Sequence, residues 1–131
     1  MDRTMRVERL GGDRYSIDVR GHQLTVDQPE SDGGEDLAPT PTELFVAGLA
    51  SCVAFYAGRF LKRHDIPADG LAVDAAYEFA SKPARVAEVT LTVHAPAGLP
   101  AERRDALLAV ASHCTVHNTV MSEPEITVTL V

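Results

Sequence analysis

Cys52 and Cys114 are the only two cysteines of the 131-residue chain and stand 62 residues apart. A thiol becomes a nucleophile as its thiolate, which needs a neighbouring cation or a helix N-terminus to favour it. Both cysteines lie in apolar helical surroundings, where most free cysteines are small core hydrophobes, so a packing role and a chemical one both stay open. Arg59 follows Cys52 by seven residues, about 700° round a helix and so nearly on the same face, although about 10 Å further along. Arg20 ends a strand and would reach the thiol only through tertiary structure. Glu43 has two readings. It stands three residues after Thr40, as a capping box requires, and as a carboxylate it would orient a guanidinium near the thiol. Nine residues separate it from Cys52, about 180° round a helix, which argues against direct contact. His113, Cys114, His117 and Asn118 cluster in sequence, but no second ligand pair of zinc spacing accompanies them, so no metal and no cofactor is expected. His117 is spaced to tune the thiol or to cap a carbonyl, and His64 complements a helix C-terminus.

These side chains have to be positioned by a few elements. Residues 40–64 form the longest apolar run and predict one long helix: Thr40 as N-cap, Pro41 in the first turn, and a charged tail of Arg59, Lys62, Arg63 and His64. From Leu44 to Gly58 the run carries no charge, which is short of the about 20 residues a bilayer span needs. A helix apolar on nearly every side should be buried on nearly every side, and its alanines, glycines and serine make it narrow enough for close approach. Before it, residues 4–27 read as a three-stranded meander with turns at Gly11-Gly12-Asp13 and Arg20-Gly21-His22, followed by an acidic, solvated loop from Asp27 to Pro39. After it, residues 71–80 and 85–95 make a hairpin, Pro100 opens a second helix, residues 115–121 form a third, and residues 125–131 alternate as a final strand.

The predicted order is β-β-β-α-β-β-α-α-β in one α+β domain spanning residues 1–131, with antiparallel sheets around a buried central helix. Six short strands cover only part of such a helix. The expectation is therefore an obligate homodimer that shares its core, the alternative being one sheet that closes over the helix within a single chain.

A net charge of −7 and the lack of a basic stripe argue against nucleic acid and against an anionic membrane surface as partners. The N-terminal residues lack a signal peptide's apolar segment, which points to the cytoplasm. Thiols stay reduced there, so a disulfide between the two cysteines would be transient and chemical.

Two strings carry a resemblance. PTPTELFVAGLASCVAFYAGRFLKR is similar to the central helix of the OsmC/Ohr family of thiol-dependent peroxidases and their relatives, and SHCTVHNTV resembles that family's second-cysteine segment. The likeness extends over nearly the whole chain. It implies an intertwined α+β homodimer in which Cys52 is the peroxidatic and Cys114 the resolving cysteine. The family's catalytic arginine lies in its N-terminal sheet, for which Arg20 is the candidate, and Glu43 stands one residue after the family's orienting glutamate, whose position Thr42 occupies; Thr115 replaces the usual proline. The implied function is reduction of organic hydroperoxides in oxidative stress defence, with an external dithiol as reductant and without a cofactor. Two further readings keep the same fold: a non-catalytic dimer that binds a small apolar ligand, and a thiol redox sensor.

Overall fold

The computed structural model describes residues 3–131, and its longest element is the helix α1, Pro41–Arg63. The capping box forms as its spacing requires: the Thr40 N–H donates to Glu43 Oε1 at 2.8 Å and the Glu43 N–H donates to Thr40 Oγ1 at 3.0 Å. Lys62 and Arg63 occupy the last turn, where cations oppose the helix dipole. With 23 residues α1 is, by length and composition only, long and apolar enough to cross a membrane, although its charge-free run from Leu44 to Gly58 is shorter than a span. A core helix meets the same criterion.

The chain divides into two compact units, one ending at Phe45 and the other running from Val46 to Val131. The first contains an antiparallel meander of β1 (Arg6–Gly11), β2 (Arg14–Val19) and β3 (His22–Val26), in that spatial order. Register follows from the turns. Val19 pairs with His22, leaving Arg20 (φ 49°) and Gly21 (φ 83°) as a two-residue turn with both φ positive, the geometry that matches strand twist.

The acidic segment that follows contains a 3-10 turn at Glu30–Asp32 and is less solvated than its composition predicts. Asp27 is 1% exposed, and its carboxylate accepts from the Gln28 N–H at 2.7 Å and the Leu37 N–H at 3.1 Å. Burial pushes the Asp27 carboxyl up, but the N–H groups of Leu37, Gln28 and Glu35, together with Arg14, outweigh it and hold it below the usual range. Gly34 completes the loop, because a Cβ there would overlap the Gln28 carbonyl.

In the second unit α1 buries Val46, Leu49, Val53, Ala57, Phe60 and Leu61, a stripe at three- and four-residue intervals. Most of this stripe joins Leu107 and Ala111 of α2 (Arg104–Ser112) in one core. Against that core pack Val73 of β4 (Ala72–Ala80) and Val89, Leu91 and Val93 of β5 (Arg85–His94). β4 and β5 form a two-stranded antiparallel hairpin. A 3-10 turn at Ala101–Arg103 leads into α2, and α3 spans Thr115–Met121.

The α+β class stands, and eight of the nine expected elements form. The ninth does not: residues 123–131 carry no strand assignment, and Ile126, Val128 and Leu130 are 78%, 90% and 98% exposed. An alternating sequence becomes a strand only beside another backbone, and among the described residues this segment pairs with none. Nor is α1 buried all round within this chain. Ala47, Ser51, Phe55 and Arg59 are exposed, and Gly48 meets nothing on the side where its Cβ would point.

Candidate functional site

Both thiols belong to the Val46–Val131 unit. Cys52 lies on α1 and is half-buried against the core cluster of which Cys114 is a member, and Cys114 is 0% exposed. Both are free, and they are neighbours. Burial pushes the Cys114 thiol up; the His117 N–H opposes this, and the Cys52 side chain adds to the rise by hydrogen bonding and by its charge. The fold thus brings together two cysteines 62 residues apart, one half-accessible and the other enclosed.

Cys114 holds its place by a role that sequence reasoning missed. It is the N-cap of α3, its Sγ accepting from the His117 N–H at 3.3 Å. Cysteine is absent from the preferred capping residues, so residue type gave no signal; the three-residue spacing to His117 was the only one. The backbone of His117 therefore touches the thiol, while its Nδ1 is buried without a hydrogen-bond partner. His113 Nδ1 hydrogen bonds the Ala109 carbonyl at 2.8 Å and Asn118 Nδ2 donates to the His113 carbonyl at 3.3 Å, so the polar cluster satisfies helix ends. Tyr56, one turn after Cys52, hydrogen bonds through its hydroxyl to Thr115 Oγ1 at 2.7 Å. That bond ties the Cys52 helix to the residue following Cys114.

Of the candidate cations, Arg59 lies over the rings of Phe55 and Tyr56, 5.5 and 5.6 Å from their centroids. Arg20 is exposed at the tip of the β2–β3 turn in the N-terminal unit, without a side-chain hydrogen bond or ion pair among the described residues. Glu43 belongs to the same unit and is engaged in the capping box.

Comparison with solved structures returns several of the same fold. A protein assigned to the osmotic stress and detoxification response of Psychrobacter arcticus is 24% identical, with a TM-score of 0.83 over 91% of this chain and 88% of that one. An organic hydroperoxide resistance protein from Elizabethkingia anophelis is 22% identical, with a TM-score of 0.70 over 94% and 91%. An OsmC-like protein from Mycoplasma pneumoniae is 20% identical, with a TM-score of 0.71 over the same shares. No curated protein matches the sequence significantly. The family model described as OsmC-like protein matches residues 33–129, a span that includes both cysteines and all three helices. The chain belongs to the OsmC-like protein family.

Proposed function

We propose that this protein is a cysteine-based peroxidase that reduces organic hydroperoxides in the cytoplasm as part of oxidative stress defence. The observation that carries the reading is the pairing of a half-accessible Cys52 with an enclosed neighbouring Cys114 in an OsmC-like fold. Similar folds bear the name organic hydroperoxide resistance protein. In the first step the Cys52 thiolate attacks the peroxide O–O bond; the sulfur takes one oxygen as a sulfenic acid, and the other leaves and is protonated to the alcohol. Cys114 then attacks the Cys52 sulfur, forming a disulfide and releasing water. An external dithiol reduces the disulfide, becoming a disulfide itself and restoring two thiols. Burial that keeps Cys114 protonated suits a group that acts second.

Arg20 is proposed as the cation that favours the Cys52 thiolate, on its place in the N-terminal sheet where the family carries its arginine, and Glu43 as its orienter, one residue after the family's position. Arg59 is the alternative, on the α1 face that carries Cys52 and Tyr56. The protein is proposed to act as a homodimer, a reading supported by the uncovered side of α1 and the unpaired segment after Pro124.

Free-thiol counts before and after one equivalent of cumene hydroperoxide test the mechanism. Wild type should lose both thiols to an intramolecular disulfide. Cys52→Ser should consume no peroxide, whereas Cys114→Ser should turn over once and leave Cys52 as a trappable sulfenic acid. Equal behaviour of the two variants would reject the assigned roles.

One observation favours the ligand-binding reading. Val7, Tyr15, Ile17, Val26, Pro41 and Leu44 of the N-terminal unit line an apolar cavity of about 430 Å³. A binding module should keep both thiols through the same titration.

A further inference from the structure

Twelve Lys and Arg face nineteen Asp and Glu in this chain, so most cations should find a carboxylate. Among the described residues only Arg6 of the lysines and arginines does, and those around the end of α1 are among the many that do not. Among the described residues the ion pairs are Arg6 with Glu8 and His94 with Asp74, and no carboxylate oxygen lies within 4.0 Å of a charged nitrogen of Arg59, Lys62, Arg63, Arg103 or Arg104.

Two of these arginines, Arg59 and Arg63, line one groove of the second unit. Arg59, Arg63, His64 and His113 supply its polar wall, Tyr56 and Phe60 part of its apolar one, and its volume is about 430 Å³. Tyr56, Arg59 and Arg63 stand at i, i+3 and i+7 on one face of α1, so their side chains point the same way. Arg103 lies outside the groove and holds one of its lining residues, His64. Arg103 Nη1 donates to His64 Nδ1 at 2.8 Å, which requires that nitrogen to be unprotonated and leaves Nε2 to carry the hydrogen of a neutral ring. Arg59 is stacked on Phe55 and Tyr56 rather than extended into solvent. Arg59 and Arg63, four residues apart on one helix, repel each other when nothing sits between them. Guanidinium forks match carboxylate and phosphate oxygens bidentately, and an aromatic wall favours an apolar body beside them.

We propose that this groove binds a small amphipathic anion, its carboxylate or phosphate head held by Arg59 and Arg63 and its apolar body lying along Tyr56 and Phe60. Arg59 is also the alternative cation for Cys52, so the site is tested by direct binding and not through peroxide turnover.

Isothermal titration of the full chain at low salt, with octanoate, octyl phosphate and neutral octanol as probes, tests the proposal. An anionic probe should bind where octanol at the same concentration does not, and the tighter of the two anions identifies the preferred head. Arg59→Gln and Arg63→Gln should each weaken binding about tenfold, the usual weight of a charge-assisted hydrogen bond, while Arg6→Gln should leave it unchanged. Both groove arginines are exposed, so the fold does not depend on them. Backbone chemical-shift mapping on the wild type locates the bound anion without any substitution, with shifts expected at Tyr56, Arg59, His64 and His113. Binding by octanol as tight as by the anions, binding indifferent to both arginines, shifts confined to other residues, or no binding by either anion would each overturn the proposal.

Discussion

Cys114 couples the position of one side chain to the pH dependence of the whole fold. Burial, the largest influence, raises its pKa above the about 8.5 of a free thiol, so the folded state keeps a proton that the unfolded chain gives up. The stability this contributes is fully present below the unfolded pKa and is lost as pH rises through the folded one. Under reducing conditions, the gap in urea unfolding between wild type and Cys114→Ala should therefore narrow as pH rises above the about 8.5 of the unfolded thiol. Glu43 permits a cleaner separation of roles. Glu43→Gln keeps a side chain able to close the capping box, so stability should stay within a few tenths of a kcal/mol, whereas Thr40→Ala should cost about 1 kcal/mol by thermal melting. If Glu43 also orients a cation, the Gln variant slows peroxide attack without loosening the helix. The two cysteines were legible as residues, because type and motif are local. Their adjacency was implied only by the family resemblance, and the Tyr56–Thr115 bond not at all, since both depend on how α1 and α3 pack.

Most elements could be read directly because their signals are short-range: a capping box for α1, alternation in β5, Arg20-Gly21 for a two-residue turn. Two segments could not, for opposite reasons. Residues 125–131 have the right alternation, but a strand is a property of two backbones, and periodicity in one cannot supply the other. The segment from Asp27 to Pro39 has a solvated composition, yet a single carboxylate anchors it internally. That anchor has a measurable signature. With its folded pKa held below the ordinary value, Asp27 contributes stability that is present above the unfolded pKa and is lost as pH falls through the folded one. Asp27→Asn should thus lower the melting temperature at neutral pH, and the gap to wild type should close in acid. Gly34→Ala should destabilise at every pH, because its clash with the Gln28 carbonyl is steric.

As a molecule, this chain leaves several large apolar side chains uncovered: Phe55, Leu108, Met121, Ile126, Val128 and Leu130 are all more than half exposed. The proposed homodimer accounts for that surface by pairing the C-terminal segment and covering α1 around Ala47, Ser51 and Phe55, short of the Arg59–Arg63 end. Sedimentation should then give twice the chain mass, and the melting temperature should rise with protein concentration. A chain truncated after Ser122 should lose that concentration dependence or fail to fold; a wild-type monomer stable at micromolar concentration would end the dimer reading. The unpaired arginines around the end of α1 have a different consequence, felt before any ligand arrives. An anion approaching a body of net charge −7 is first repelled as a whole and then drawn in locally. The Debye length is about 30 Å at 0.01 M salt and about 3 Å at 1 M, so the first additions of salt should remove the distant repulsion while sparing the attraction at contact. The capture rate should therefore climb, pass through a maximum and decline with ionic strength.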